Sequence, residues 1–131
     1  MGINVKFTVG VIAIIIGGAL GSLCRYVMSM NVYLLLGKSF PYGTLAVNIL
    51  GSIIIGSVYI LAMEKITISE ELRAGITVGF LGAFTTFSTF SIETMNLIES
   101  GEITKAGLNI ILSVILCIVG CWLGMSITRQ L

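Results

Sequence analysis

Four long runs of the chain carry no charged residue, and the charges concentrate in the short segments around them. The uncharged runs cover residues 7–24, 43–63, 74–92 and 106–128. The hydrocarbon core of a bilayer is about 30 Å thick, and a helix of roughly 20 apolar residues crosses it. We therefore predict an all-α membrane protein in which the whole chain, 1–131, forms one domain of four transmembrane helices.

The connecting segments are short. Residues 25–42, which include Pro41, are the one connection with room for a short interfacial helix. Proline suits the first turn of a helix, because the N–H that it lacks would have no partner there. The segments 64–73 and 99–105 are predicted to form charged turns, and Ser69 is expected to cap the third span.

The composition excludes several classes of function. Hydrophobic residues are 56% of the chain and charged residues 10%, against about 25% charged residues in a soluble domain. A net charge of +1 gives no basic surface for nucleic acid. The chain has no histidine or aspartate, and its three cysteines lack CxxC spacing. We therefore expect no zinc cluster, no histidine-based triad, no disulfide framework and no enzyme.

Positive charge is divided almost evenly between the two sides of the membrane. With four spans, one side holds four Lys and Arg residues and the other holds three, so the positive-inside rule sets no firm orientation. Either the chain inserts both ways and inverted copies pair, or it has one weakly biased orientation. The first group is Lys6, Lys65, Arg73 and Arg129, and the second is Arg25, Lys38 and Lys105.

Three pairs of glycines have the GxxxG spacing of closely packed membrane helices. They favour oligomerisation, with a dimer as the smallest solution, but packing within one subunit explains them equally well. The spacing does not separate these two interpretations. The pairs are Gly17 and Gly21, Gly75 and Gly79, and Gly120 and Gly124.

Polar side chains lie within two of the apolar spans, where each needs a partner or a water-lined cavity. The second span contains Asn48, with Thr44 one turn earlier on the same face. The fourth span contains Asn109, Ser113 and Cys117 at intervals of four, which places them in one stripe. Each group either bridges two helices or lines a polar path.

The third span carries many polar residues in its middle. Residues 79–91 contain two glycines, three threonines and two serines. Glycine and β-branched residues are weak helix formers, and Ser and Thr hydroxyls compete for backbone carbonyls. We predict a break in this helix, a feature that commonly marks ion sites in membranes. Phe87 and Phe90 project from the same region, either at such a site or as two core aromatics.

Three motifs resemble the signature of the Fluc (CrcB-type) fluoride channels. They are GAFTTFSTFS at residues 82–91, GALGSLCRY at 18–26 and GTLAVNILGS at 43–52. The likeness covers the whole chain in length, number of spans and motif order. It implies passive, fluoride-selective export that protects the cell from fluoride toxicity. It also implies an antiparallel, dual-topology homodimer with two pores, placed as a multi-pass protein in the bacterial inner membrane.

The resemblance also assigns residues to the fluoride pathway. Phe87 and Phe90 would be the pore phenylalanines, since the edge of an aromatic ring carries the positive side of its quadrupole and attracts anions. Thr89 lies between them on the same path, and Asn48 would supply amide donors.

The resemblance assigns four further positions, which match the family's motifs less specifically. Ser113 corresponds best to the family's polar track, and Asn109 and Cys117 stand where other polar residues are expected. Arg25 would lie beside an aqueous vestibule and raise the local anion concentration. Glu93, just past the phenylalanines, is the one acid inside a predicted span, and an ionised acid there would repel fluoride unless it is hydrogen-bonded or faces away.

The resemblance finally implies a structural sodium ion at the break in the third helix. Its ligands would be the backbone carbonyls of Gly82 and Thr85 from two subunits, four hard oxygens for a hard cation. Two alternatives stay open. A small proton-coupled multidrug transporter would need a carboxylate in the first span, where residues 7–24 have none. A non-conducting membrane scaffold would leave the polar middle of the third span unexplained.

Overall fold

The computed structural model describes Gly2–Leu131, with side chains from Asn4 onward, and this part of the chain is helical throughout apart from short connections. Two segments are π-helical. Leu61–Lys65 follows α2, and Gly75–Leu81 joins α3 to α4. The helices are α1 (Gly2–Leu36), α2 (Tyr42–Ile60), α3 (Glu70–Ala74), α4 (Gly82–Phe84), α5 (Phe87–Glu99) and α6 (Ile103–Gln130).

Four helical stretches are long and apolar enough to cross a membrane, which confirms the predicted number of spans. Their outward side chains are largely apolar: Phe7 on α1 and Trp122 on α6 are 72% and 62% exposed. Lipid is the solvent that such a surface requires. The stretches are Asn4–Leu36, Tyr42–Lys65, Glu70–Glu99 and Ile103–Gln130.

The first helix is much longer than the sequence predicts. Residues 25–42 were predicted to form a connection with room for a short interfacial helix, but most of them belong to α1, which continues through Arg25 to Leu36. No glycine or proline interrupts that stretch, and arginine is itself a good helix former. The helix ends at Leu36, just before Gly37, whose φ of 81° suits glycine, and only residues 37–41 separate α1 from α2.

The third span begins as predicted. The hydroxyl oxygen of Ser69 accepts a hydrogen bond from the backbone N–H of Leu72 at 3.2 Å, which confirms Ser69 as the N-cap of α3. The cap satisfies one of the backbone donors that every helix leaves unpaired in its first turn.

The first and third spans meet through glycines. A Cβ on Gly17 would collide with the carbonyl oxygen of Gly75, and a Cβ on Gly79 would lie 2.7 Å from the carbonyl oxygen of Ile14. Gly21 makes an equally close approach to Phe80. Small residues allow backbones to approach this closely in a membrane.

The second and fourth spans pack in the same way. A Cβ on Gly56 would collide with the carbonyl oxygen of Cys121, and one on Gly124 with that of Ile53. All three GxxxG pairs therefore contribute to packing inside one subunit. Of the two interpretations that the spacing left open, the structure shows this one, so the glycines provide no argument for a second copy.

Thr85 and Thr86 lie between two helices of the third span. Both residues have extended backbone, with ψ of 158° and 113°, between the end of α4 and the start of α5. The Thr86 hydroxyl accepts the backbone N–H of Thr89 at 3.2 Å and so caps α5. The span consists of two helical pieces joined near its middle, and the candidate site lies beside this junction.

Candidate functional site

A groove of about 510 Å³ lies beside the junction in the third span. Its walls come from α2, the segment Gly75–Leu81, α4, α5 and α6, and all the described residues that line it are uncharged. It brings together seven of the ten site residues that the sequence predicts. They are Asn48, Gly82, Thr85, Phe87, Phe90, Ser113 and Cys117.

Asn48 binds the backbone at the junction. Its Nδ2 donates to the carbonyl oxygen of Thr86 at 3.1 Å, and its Oδ1 accepts from the N–H of Thr86 at 2.8 Å. Extended backbone within a span has no helical partner for these two groups, and leaving them unpaired away from water is costly. One side chain of α2 therefore satisfies both polar groups of Thr86.

The amide of Asn48 still has one unused donor. A primary amide carries two N–H groups, and only one of them is occupied by Thr86. Because Asn48 also lines the groove, the second N–H is available to an anion there. The structural and the pathway interpretations of this residue are therefore compatible.

Phe87 and Phe90 stand side by side at the start of α5. Their ring centroids are 5.2 Å apart, and the ring planes are inclined by 48°. Phe87 is 77% exposed, so it is not a core aromatic of the single chain. The edges of aromatic rings carry partial positive charge.

Gly82 and Thr85 lie on the groove wall just before the junction. The hydroxyl of Thr85 donates to the carbonyl oxygen of Leu81 at 2.9 Å, so this side chain is occupied within its own helix. Gly82 is exposed, and a Cβ there would meet nothing closer than the Thr77 carbonyl oxygen at 3.6 Å. The described residues contain no cluster of three His, Cys, Asp or Glu side chains, and no Asp or Glu is among those that line the groove, so a cation at this place would depend on neutral oxygens.

The polar stripe of α6 divides between the groove and a buried contact. Asn109 is 1% exposed, and its Nδ2 donates to the Thr94 hydroxyl of α5 at 2.9 Å. Ser113 lies one turn along, donates weakly to Asn109 at 3.5 Å and reaches the groove, as does Cys117. Asn109 therefore bridges α5 and α6, whereas Ser113 and Cys117 face the groove.

Besides Asn109, two predicted residues lie away from the groove. Thr89 accepts a hydrogen bond from the Thr86 hydroxyl at 2.9 Å and belongs to the cap of α5. Arg25 does not stand at the end of its helix, because α1 continues to Leu36. At 1.5 Å per residue the side chain is attached about 16 Å before that end.

Glu93 is held by a tyrosine of the first span. The Tyr33 hydroxyl donates to Oε1 of Glu93 at 2.8 Å, and Oη of Tyr33 lies 3.4 Å from the Thr44 hydroxyl. Since the hydrogen of Tyr33 is used on Glu93, Thr44 is the donor in the second contact. Oε2 of Glu93 is buried and has no hydrogen-bond partner in the described part of the chain.

Sequence reasoning missed several residues of the site. Thr77, Gly51 and Ser52 line the groove, and the polar Thr77 and Ser52 within apolar spans were signals that could have indicated them. Tyr33 contacts Glu93, which is 60 residues away in the sequence, and Thr94 contacts Asn109, which is 15 residues away. Periodicity carries no signal for such long-range pairs.

Comparison with known proteins identifies the family. The family model described as CrcB-like protein, Camphor Resistance (CrcB), matches residues 12–125. The fluoride-specific ion channel FluC of Geobacter sulfurreducens is 50% identical over 121 residues, which are 92% of this chain and 98% of the relative. The protein of the same name from Coxiella burnetii is 51% identical over 122 residues, with the same shares of both chains.

These relatives are named as ion channels, which confirms the prediction that the chain is not an enzyme. The family model covers most of the chain, including all three motifs noted above, and confirms the resemblance on which they rest. Together with the four apolar helices, the match identifies a multi-pass membrane protein. The chain belongs to the CrcB-like protein family.

Proposed function

We propose that this protein is a fluoride channel that lets fluoride leave the cell passively and so protects it from fluoride toxicity. The observation that carries the proposal is the uncharged groove, which combines the polar side chains of Asn48 and Ser113 with the aromatic rings of Phe87 and Phe90. The names of the relatives support the choice of ion.

The groove suits a small anion that must enter and leave quickly. A fluoride ion that loses water needs replacement donors, and the unused N–H of Asn48 and the ring edges provide them without a formal positive charge. Conduction requires binding that is strong enough for entry and weak enough for release. A wall with few donors meets this condition for fluoride, and the larger chloride ion does not fit the same contacts.

The working unit in this proposal is an antiparallel homodimer with two pores. Phe87 is 77% exposed and Gly82 is also exposed, although both lie near the middle of a membrane span. Lipid offers no partner to the polar groups of an open groove. A second copy closes it, and the near-equal division of positive charge permits the copies to insert in opposite orientations.

A structural sodium ion is part of the proposal. Gly82 and Thr85 lie close together beside the junction, and the space next to Gly82 is open. Their carbonyl oxygens are hard donors suited to a hard cation, and two copies supply four of them. When bound, the ion supplies a fixed positive charge that holds the two junctions together. The two residues fit this role. We place the whole channel in the bacterial inner membrane.

The transporter alternative finds no support in the first span. Proton-coupled export of cations needs a carboxylate there, and α1 contains no Asp or Glu. A passive scaffold does not explain why donors and aromatic rings line one groove.

Growth under fluoride tests the proposed function. A bacterial strain that lacks its own fluoride exporters is grown in acidic medium with fluoride, where hydrogen fluoride enters the cells. We expect the wild-type chain to restore growth and Phe90→Ile to fail at equal amounts in the membrane. Failure of the wild-type chain to restore growth, with the protein present in the membrane, would contradict the proposal.

A further inference from the structure

A second cavity of about 580 Å³ lies at the end of the molecule formed by residues 37–41 and the carboxyl end of α5. The groove and this cavity share no lining residue. Its polar lining consists of Tyr33, Lys38, Glu93, Asn96 and Ser100.

The two cavities follow one another along α2 and α5. On α2, Thr44 lies one turn from Asn48 in the direction of residues 37–41. On α5, Glu93 lies about one turn beyond Phe90 in the direction of the turn after Glu99. Connections before the second span and after the third share one side of the membrane, so both helices run from the groove toward the same face.

Tyr33 lines the second cavity and joins three helices there. Its ring packs against Gly43 at the start of α2, where a Cβ would collide with it. Thr44 donates to its Oη at 3.4 Å, and its own hydroxyl donates to Glu93 at 2.8 Å. The chain of hydrogen bonds therefore runs from α2 through α1 to α5.

Apart from this contact, the carboxylate of Glu93 has few hydrogen bonds. Its Oε2 is buried without a hydrogen-bond partner within the described residues, so the bond from Tyr33 is what fixes the carboxylate. A free carboxylate at this depth repels an approaching anion, and the repulsion is strong where water is scarce. A hydrogen bond to a carboxylate disperses its charge and restricts its rotamers.

We propose that Tyr33 is a positioning residue for the anion path: its hydroxyl holds the Glu93 carboxylate against the wall of the second cavity, where the charge does not close the path. This inference rests on the proposed fluoride channel. The second cavity is then the other mouth of the path, and Lys38 on its wall supplies the one positive charge in that lining. Tyr33 acts on the anion only through Glu93.

A double-mutant cycle tests the inference. Fluoride efflux from liposomes is measured for the wild type, Tyr33→Phe, Glu93→Gln and the double variant. We expect Tyr33→Phe to slow efflux about tenfold, the equivalent of one hydrogen bond to a charged group. In the Glu93→Gln background, which keeps an acceptor for Tyr33 and removes the charge, the same change is expected to slow efflux less than about twofold.

The control is Tyr26→Phe, since Tyr26 also lies on α1 but is 64% exposed to the outside. Its efflux is expected to equal that of the wild type. A Tyr33→Phe variant that conducts normally, or an equal loss in both backgrounds, would overturn the inference. These results would not contradict the proposed channel function, because wild-type fluoride efflux is measured in the same experiment. Absence of wild-type efflux would count against the proposed function instead.

Discussion

The side chain of Asn48 and the backbone of Thr86 form a reciprocal pair, in which the amide of α2 donates to the Thr86 carbonyl at 3.1 Å and accepts from its N–H at 2.8 Å. The pair lies where the third span leaves helical geometry. It stabilises the junction and, at the same time, places the remaining N–H of Asn48 at the groove.

Replacing Asn48 with alanine should destabilise the protein and stop conduction together. Asn48→Ala leaves the N–H and the carbonyl of Thr86 without a partner, at a cost of about 1–3 kcal/mol for each group. We expect a lower melting temperature in detergent and fluoride efflux reduced at least tenfold. The control is Asn31→Ala, because Asn31 is exposed and donates only to Val27 of its own helix. Equal melting temperatures for the two variants would contradict the structural role of Asn48.

The two phenylalanines should affect conduction without affecting the fold. Phe87→Ile and Phe90→Ile remove the aromatic edges while keeping apolar bulk, and Phe87 is largely exposed in the single chain. We expect fluoride efflux to fall at least tenfold in each variant, with melting temperature and dimer content close to those of the wild type. Phe7→Ile, at a residue that is 72% exposed on α1, is the control. Normal efflux in both groove variants would remove the aromatic contribution to conduction.

The contact between α2 and α6 should tolerate no side chain at Gly56. Gly56→Ala places a Cβ against the carbonyl oxygen of Cys121, so the two backbones must separate. Overpacking of this kind lowers the free energy of unfolding by about 1–3 kcal/mol. Gly107→Ala is the matched control, since nothing lies within 4 Å of its added Cβ and alanine favours the helix. Thermal unfolding in detergent measures both, and equal stability of the two variants would contradict the packing.

A cysteine at Gly82 should report the second copy. The native residues Cys24, Cys117 and Cys121 are all free thiols and are first replaced by serine. The open space beside Gly82 then accommodates Gly82→Cys. We expect mild oxidation in membranes to give a covalent dimer, and none with Gly107→Cys. Monomers only, in a Gly82→Cys variant that still conducts fluoride, would argue against a dimer joined at the groove.

The number and nature of the spans were predictable because uncharged runs of membrane length determine them directly. The ends of the helices were less predictable. Arg25 ends an uncharged run, but a single cation does not stop a helix, and α1 continues to Leu36. The capping role of Ser69 was accessible because it depends on neighbours three residues away.

The composition of the groove was largely predictable from residues that are polar or aromatic in an apolar context. Their partners were not, because they depend on how the helices approach one another. Asn109 shares its spacing with Ser113 and Cys117, yet Thr94 of α5 binds it outside the groove. The pairing of Tyr33 with Glu93 likewise follows from the meeting of three helices and leaves no local signal.

The most direct test of the account is anion efflux from liposomes that contain the purified protein, measured in parallel with fluoride and chloride. We predict rapid fluoride loss without a proton gradient and no chloride loss above that of protein-free liposomes. Loss of neither ion, in protein shown to be folded and dimeric, would contradict the central claim, and equal loss of both would contradict selectivity.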